Sequence, residues 1–363
     1  MKLSDRDWKD FSVPYVFQKI QRGKRLKNAD HVPGIIPYVS STANNNGVDD
    51  YIEAIDGTRV FENCISLANS GSVGTAFYEP FAFVASDHIT SLKRENTSQY
   101  VYLFLTAVLE QQGSNFNFNR EINDPRIRKM KVMLPVDDND EPDYQFMEEL
   151  MEELMAAKRK QYQEYVEQRL AELGIDDVKN IEVGGYNLDL ESREWKEFFL
   201  EYIFSVGSGK RLTNADKIDG TRPFIGATDN MNGVTGFVDN ENSSLDKNVL
   251  GVNYNGAPCI GFYHPYECVF TDDVKRLHLK NYEDNPYVLF FFKAIILQQK
   301  NKYCYGYKFN ERRMLRQIIV VPVDDNNEPD YEFMEECGRK MMAKKYIQYL
   351  KYLESTCESE DVK

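Results

Sequence analysis

The sequence predicts an α+β chain in which two mixed α/β domains form a pseudo-twofold tandem repeat, separated by two long antiparallel coiled-coil-like helices. Three observations carry that expectation. The chain repeats itself with a period of about 187 residues, too long for a solenoid and right for a duplicated domain. Each copy opens with β-branched and aromatic runs broken by Gly, Pro and Asn. Each copy closes in a charged stretch whose apolar residues recur at three- and four-residue spacing.

The repeat is plainest where Pro135-Val-Asp-Asp-Asn-Asp-Glu-Pro-Asp-Tyr-Gln-Phe-Met-Glu-Glu149 answers Pro322-Val-Asp-Asp-Asn-Asn-Glu-Pro-Asp-Tyr-Glu-Phe-Met-Glu-Glu336. Trp8-Lys-Asp-Phe11 pairs with Trp195-Lys-Glu-Phe198, and Gly23-Lys-Arg-Leu-Lys-Asn-Ala-Asp30 with Gly209-Lys-Arg-Leu-Thr-Asn-Ala-Asp216. Pro37-Tyr-Val-Ser-Ser-Thr42 pairs with Pro223-Phe-Ile-Gly-Ala-Thr228, and Asn46-Gly-Val48 with Asn232-Gly-Val234, in the same order.

Within a copy, Gly34-Ile-Ile-Pro-Tyr-Val-Ser40 and residues 74–85 read as strands with tight turns. A helical run follows from Tyr100 to Glu110, with a counterpart from Tyr287, and then a strand to Pro135 or Pro322. The alternating segments 115–120 and 303–310 fit half-buried strands. A long helix is expected from Pro142, at a favourable first-turn position, to about Leu173, where Gly174 stops it. Its stripe is Phe146, Leu150, Leu154, Ala157, Tyr165 and Leu170. The second helix, from Pro329 to about Glu354, offers Phe333, Met334, Cys337, Met341, Tyr346, Tyr349, Leu350 and Leu353, so the two stripes are expected to pack on each other. The expected layout is therefore a first domain at 1–141, a helix at 142–173, a linker at 174–193, a second domain at 194–328 and a helix at 329–356.

Charge does not exclude a polyanionic partner. The formal net charge is −14, but residues 137–153 hold nine acids and no base, and residues 324–336 hold seven and none. Outside those segments 42 acids face 44 bases, so a basic face can exist elsewhere. Acids crowded into a first helical turn suit the positive end of the helix dipole, and were expected to face partners or solvent. Six cysteines without a Cys-x-x-Cys pair suggest reduced, mostly buried thiols, and four histidines (His31, His88, His264, His278) lack metal-ligand spacing, so neither metal nor cofactor is expected. The charged N-terminus and the absence of a roughly 20-residue apolar run point to a cytoplasmic chain.

Domain, long helix, domain, long helix resembles the specificity subunits of type I restriction-modification systems and of related type IIB systems, over essentially the whole chain. The local likeness lies in Ile36-Pro-Tyr-Val39 before a polar loop, in residues 66–74, in Val84-Ala-Ser-Asp-His88, and in the strand to Pro135 followed by a helix, all in order and twice. The stretch Val-Asp-Asp-Asn-Asp/Asn-Glu-Pro-Asp-Tyr before each helix departs from the Pro-Pro-x-x-Glu-Gln-like run usual in type I subunits, which leaves the subclass open. The resemblance implies two target-recognition domains, each reading half of an interrupted double-stranded DNA sequence. It also implies helices that set the gap and dock methyltransferase subunits, with a nuclease or translocase possible alongside, and no catalysis by this subunit. A helix of about 32 residues would span about 48 Å, suited to half-sites roughly one to one and a half DNA turns apart.

On that reading Lys24, Arg25, Lys27, Lys210, Arg211 and Lys308 are candidates for phosphate contact. The loops at 40–47 and 226–233 supply Ser41, Thr42, Asn44, Asn45, Asn46, Thr228, Asn230 and Asn232 for base edges or backbone. Ser70, Ser72 and Asn255 sit in glycine turns that allow close approach to DNA or merely make hairpins. Differences between the loops predict an asymmetric target. Catalytic motifs are weak: Gly207-Ser-Gly-Lys210 lacks a Walker Ser or Thr, and Asp284-Asn-Pro-Tyr287 lacks one proline of the adenine-methyltransferase motif and reads as a helix start. Two other readings stay open, a two-domain scaffold gripping protein or carbohydrate, and a self-contained methyltransferase or nuclease.

Overall fold

The computed structural model describes residues 1–117, 119–175, 188–304 and 306–360, with side chains as far as Leu353. Phe118, Tyr305, the central part (176–187) of the expected linker and the Cys357 thiol lie outside that description. The chain divides into two compact units, 1–162 and 163–363.

The first unit begins with β1 (Trp8–Ser12), α1 (Val13–Val16), β2 (Lys19–Arg22), β3 (Pro33–Val39) and β4 (Val48–Ile52). It continues through β5 (Val60–Phe61), β6 (Cys64–Ala68), β7 (Ala76–Glu79), β8 (Phe83–Ala85) and β9 (Ile89–Lys93). α2 (Gln99–Gln112), α3 (Asp124–Ile127) and β10 (Lys131–Pro135) lead to α4 (Tyr144–Glu172), whose last residues belong to the second unit. Four strands order as β2-β9-β6-β7, and a smaller sheet as β4-β3-β8-β5. β6 is buried along its whole length, because one face meets α2 and the other meets the small sheet. The main core joins Tyr102, Phe104 and Leu105 of α2 to Ile65, Leu67 and Leu92 of the sheet and to Met147 of α4.

The second unit copies this plan with β11 (Glu194–Phe199), α5 (Leu200–Ile203), β12 (Phe204–Ser208), β13 (Asp219–Ile225), β14 (Val234–Val238) and β15 (Val249–Asn253). Then come β16 (Gly261–His264), β17 (Val269–Phe270), β18 (Val274–Leu279), α6 (Pro286–Leu297), α7 (Glu311–Leu315), β19 (Ile318–Val323) and α8 (Tyr331–Glu360). Its sheets order as β12-β18-β15-β16 and β14-β13-β17. Mixed helices and sheets arranged as two tandem units are the predicted class. Asn285 caps α6 through its side chain, accepting from the Tyr287 and Val288 amides, so the Asp-Asn-Pro-Tyr stretch is a helix start.

Each unit is closed by its own ends. β1 pairs antiparallel with β10, and β11 with β19, so first and last strands lie side by side. The acidic repeat finishes the closure. Asp137 Oδ1 accepts from the Asn139 and Glu141 amides at 2.9 and 3.0 Å, and Asp324 accepts likewise from Asn326 and Glu328. Asp143 caps α4 by accepting from Phe146 N at 2.9 Å and also takes the Arg6 guanidinium at 2.8 Å. Asp330 does both for α8 with Phe333 and Arg193. Arg6 and Arg193 each lie over the phenyl ring of that helix's first turn, at 4.8 Å. Several of these acids therefore serve the fold itself, where the sequence had turned them toward partners or solvent, and α4 begins at Tyr144 behind the Asp143 cap, which leaves Pro142 ahead of the first turn rather than in it.

Two other expectations change. The segments 115–120 and 303–310 are not half-buried strands: a 3-10 turn (Gly113–Asn115 or Lys300–Lys302) leads into each, and each holds a tight bridge, Asn117 to Arg120 or Cys304 to Tyr307, with mostly exposed residues among those described. Among the described residues their alternation has no neighbouring strand to pair with. On α4, Phe146 and Leu150 pack into the first unit, but Leu154 is 48% exposed and Ala157 is exposed. Near its end, Val166 and Leu170 are fully buried, and Tyr165 meets Tyr346 of α8 edge to face at 6.3 Å, with Arg169 bonded to Tyr346. The burial on α8 follows Met334, Cys337, Ala343, Ile347 and Leu350, while Met341 and Tyr349 are exposed. Gly174, at φ +77°, ends α4 as expected. The five cysteines described are free thiols, of which Cys304 is exposed.

Asp143→Ala should cost the first unit about 1–2 kcal/mol in denaturant unfolding, while Asp143→Asn, which keeps the cap and loses an exposed ion pair, should cost well under half as much. Equal losses would remove the cap from the account.

Two buried ionisable groups stand at equivalent places, Glu79 ending β7 and His264 ending β16. Ser66 Oγ donates to Glu79 Oε1 at 2.9 Å, yet Glu79 Oε2 and His264 Nε2 have no partner among the described residues. Burial pushes the Glu79 carboxyl up to about 7 and the His264 imidazole down to about 4, so both favour the neutral form. Their pH signs are opposite. The Glu79 contribution is complete below pH 4.5 and is lost as pH rises through 7, whereas that of His264 is complete above pH 6.5 and is lost as pH falls through 4. Glu79→Gln should therefore raise first-unit stability at pH 8 by up to about 3 kcal/mol relative to its effect at pH 4, measured by thermal denaturation at both values. A shift identical at the two pH values would count against it.

Candidate functional site

In the first unit the ends of β2, β3, β6 and β8 and the start of β9 meet at one edge. Gly23 N donates to Ile89 O at 2.9 Å and Lys24 N to Ala85 O at 3.1 Å. A Cβ at position 23 would stand 2.1 Å from Ser86 O, so only glycine lets the chain pass this close. Leu26 anchors the following turn in a small core with Tyr38, Ile52 and Val84. Lys24, Arg25 and Lys27 are consequently left exposed, with no carboxylate in ion-pair range among the described residues.

The loop after β3 is a compact left-handed turn. Ser40 N donates to Gly47 O at 2.9 Å, Gly47 N to Asn44 O at 2.8 Å, and Asn44 N to Thr42 Oγ1 at 3.2 Å. Asn45, Asn46 and Gly47 follow one another at φ 49°, 52° and 77°, a run that Asn and Gly tolerate best. The neighbouring turn after β6 leans on it: Ser72 N donates to Ser41 O at 3.1 Å, and a Cβ on Gly71 would lie 2.5 Å from Ser41 Oγ.

The second unit rebuilds the same backbone. Gly209 passes Thr271 O, where a Cβ would stand at 1.9 Å, and Leu212 anchors among Phe224, Val238 and Val269. Lys210 and Arg211 are exposed. Gly226 N donates to Gly233 O and Gly233 N to Asn230 O, both at 2.8 Å, and Asn230 N to Thr228 Oγ1 at 3.2 Å. Met231, Asn232 and Gly233 have φ 48°, 52° and 78°. Gly256 approaches Ala227 O as Gly71 approaches Ser41. Buried Asn253 donates to Thr228 O at 2.9 Å, and Phe309 N donates to Tyr254 O at 3.2 Å, which brings the half-buried Lys308 beside this turn.

The candidates thus fall into two kinds. Lys24, Arg25, Lys27, Asn44, Asn45, Asn46, Lys210, Arg211, Asn230 and Asn232 present exposed side chains, and Ser41, Thr42 and Thr228 are half-buried at the loop bases. Ser70 is instead buried with its hydroxyl on His88 Nδ1, and Asn255 donates to Asp273 Oδ1 at 2.9 Å, so both support turns. Sequence reasoning passed over Met231, 80% exposed at the place of Asn45, because a search for hydrogen-bonding residues ignores a thioether. The signal was an apolar residue in an otherwise polar turn.

Acids near this edge of the second unit are largely paired. Arg276 Nη1 meets Asp246 Oδ2 at 2.9 Å, and His278 sits between Asp284 (2.7 Å) and Asp246 (3.1 Å). The bond to Asp284, reinforced by that to Asp246, lifts the His278 imidazole to about 9 against its partial burial. Glu311 takes Lys275 at 2.8 Å and Ser208 at 3.0 Å, and the Lys275 bond holds its carboxyl below the ordinary range. Ser70, His88 and Asp87 bring together the residue types of a hydrolytic triad, but Ser70 is buried and the His88–Asp87 approach is 4.0 Å, beyond hydrogen-bond reach. Gly207 lies within strand β12 rather than a phosphate loop. Among the described residues no group of three or more metal-ligating side chains could hold a metal ion, and no helix is long and apolar enough to cross a membrane. What the edge offers is cations, amides and hydroxyls on a fixed backbone.

A family model described as the type I restriction modification DNA specificity domain matches residues 5–164 and again 192–351. The specificity subunit S.BcgI of the type II restriction enzyme BgcI from Heyndrickxia coagulans is 37% identical over 310 residues, covering 85% of this chain and 86% of that protein. Among solved structures, the S subunit of a type I restriction-modification system from M. genitalium aligns over 100% of this chain and 96% of its own, at 16% identity and a TM-score of 0.47. The HsdS subunit from Thermoanaerobacter tengcongensis aligns over 95% and 91%, at 11% identity and a TM-score of 0.34.

Gly71→Ala should destabilise the first unit by about 1–2 kcal/mol, through left-handed strain plus the clash with Ser41, and should speed amide exchange across residues 40–47. Unchanged exchange there would show that the two turns are independent.

Proposed function

The chain belongs to the type I restriction-modification DNA specificity family, carrying its domain twice, and from that premise we propose that it reads a bipartite, asymmetric double-stranded DNA sequence. Each unit addresses one half-site. The observation that carries this reading is one backbone used twice with different side chains: both loops share their hydrogen bonds and left-handed φ values, while Asn45 corresponds in the repeat to Met231, Ser41 to Ala227 and Ser72 to Ala257. A fixed frame with exchanged residues is what direct readout of two unlike sequences requires. Lys24, Arg25, Lys27, Lys210, Arg211 and Lys308 supply phosphate contacts; Ser41, Thr42, Asn44, Asn45, Asn46, Thr228, Asn230 and Asn232 approach bases or backbone. Ser70, Ser72 and Asn255 act by shaping the turns.

The chain is read as non-catalytic, a scaffold for methyltransferase subunits and their associated nuclease, working in the cytoplasm on chromosomal or incoming DNA. Extensive identity to a specificity subunit of a type II restriction enzyme favours a type II-like assembly over a type I one. The boundaries at 142–173 and 329–356 mark the helices that would carry those partners, with 1–141 and 194–328 as the two reading domains.

In footprints of the chain assembled with its methyltransferase, two separated tracts should be protected; one continuous tract would refute the bipartite reading. Replacing Lys24 and Arg25 by Ala should weaken binding to all sequences alike and lower the slope of log affinity against log salt by roughly 2. Exchanging Asn45 for Met should alter the preferred bases of one half-site only, as read by selection from a randomised duplex. An unaltered preference would take the loop out of base recognition.

A further inference from the structure

A second cationic surface lies beside α7, and of its cations only Lys308 belongs to the candidate site above. From 300 to 316 the chain holds Lys300, Lys302, Lys308, Arg312, Arg313 and Arg316 against one acid, Glu311, in a protein of net charge −14. Four of these cations, Lys302, Arg312, Arg313 and Arg316, line a cleft of 760 Å³ beside α7 together with Tyr303 and Tyr307. No carboxylate lines it. Glu311 is turned the other way, onto Lys275 and Ser208.

The cations divide by role. Arg313 donates to Lys308 O at 2.8 Å and lies over the Tyr307 ring at 3.8 Å, so it braces the turn. Arg312 and Arg316 are exposed, and their guanidinium groups have no hydrogen bond or ion pair among the described residues. Tyr303 OH and Gln317 bond each other at 2.7 Å in the cleft wall, which leaves that wall already satisfied and the guanidinium groups without a partner.

Position supplies the second argument. Ser208 holds Glu311 and is followed directly by Gly209, Lys210 and Arg211, while Phe309 N binds Tyr254 O in the turn that supports loop 226–233. α7 is therefore tethered to both parts of the candidate reading edge. The first unit repeats the arrangement in charge though not in residue. Arg126 donates to Glu121 O at 2.6 Å as Arg313 does to Lys308 O, Ile122 N binds Asn69 O, and Arg128 and Lys129 stand exposed just past α3. Side chains that read bases should differ between units with unlike half-sites, whereas groups that hold phosphates need keep only their charge.

We propose that Arg312 and Arg316 of α7 grip the DNA phosphate backbone beside the second half-site, with Arg128 and Lys129 doing the same beside the first. This rests on the DNA-reading assignment above and adds to it a sequence-independent clamp next to each set of loops. The guanidinium fork suits phosphate oxygens, and each contact made releases condensed counterions.

The test uses the full chain assembled with its methyltransferase, a duplex carrying the cognate site and a random duplex, with affinity measured from 50 to 300 mM salt. Arg312→Ala/Arg316→Ala should weaken binding to both duplexes by the same factor, about tenfold or more at low salt, and lower the salt slope by roughly 2. Arg312→Lys/Arg316→Lys should recover most of the slope, which a purely structural role would not allow. An unchanged slope, a loss confined to the cognate duplex, or a loss of methyltransferase association with DNA affinity intact would each overturn the clamp. Failure of the unaltered assembly to bind DNA with any salt dependence would instead strike the DNA-reading assignment itself.

Discussion

Closure of each unit by its own ends is the constraint on which the rest depends. The first strand pairs with the last, and an aspartate at the helix entry answers two demands at once, capping the helix and holding an arginine from the segment just before the first strand. Because Asp143 and Asp330 are shared, the helix leaves its unit in a direction set by the strand pair rather than by a free linker. That coupling explains why the acidic stretch is the most faithfully duplicated part of the chain: its turn needs a left-handed residue, met by Asp140 and Asn327, both at φ 66°, and two backbone amides bonded to one carboxylate. Each requirement restricts residue choice independently, so little variation is tolerated.

At the opposite extreme of tolerance are the loops of the candidate reading edge. Their shape is fixed from behind, by chain crowding at positions 23 and 209 and by the turn pressed against Ser41 or Ala227. With the backbone held by neighbours, the outward side chains carry no structural duty, and Asn can be exchanged for Met at a left-handed position without altering the φ values around it. A frame of this sort permits new specificities to arise by substitution at a few exposed positions while stability is carried elsewhere.

What the sequence disclosed and what it concealed follow from the same physics. The strands, both long helices and the α+β class were legible because hydrophobic period and turn residues are local signals, and the repeat doubled every one of them. The alternation at 115–120 and 303–310 misled because a period of two marks a strand only where a partner strand exists, and pairing is non-local. Ser70 and Asn255 resemble the loop residues in type, yet one is bonded to His88 and the other to Asp273, contacts formed across 18 residues and invisible to composition. The helical stripe was right in rhythm and wrong in phase at Leu154 and Met341, since a straight helix drifts relative to any fixed spacing as it lengthens. Arg312 and Arg316 went unremarked because a short charged segment has no signature until the fold shows which way its one acid points.

Net charge gains its meaning from this placement. A protein at −14 is a poor candidate for a polyanion when its charges are averaged, but averaging presumes that every carboxylate is free to repel. Here Asp137, Asp143, Asp324 and Asp330 are spent on caps and turn amides, Asp246 and Asp284 neutralise Arg276 and His278, and Glu311 neutralises Lys275. Screening at physiological salt confines what remains to about 8 Å, so a duplex would sense the local balance at the edge it meets and little of the acid elsewhere. Lys24 and Arg25 in the first unit and Lys210, Arg211, Arg312 and Arg316 in the second are exposed, with no carboxylate in ion-pair range among the described residues. Where the charge stands, rather than its sum, thus decides what a duplex would meet, and the acidic total is compatible with a DNA-facing surface.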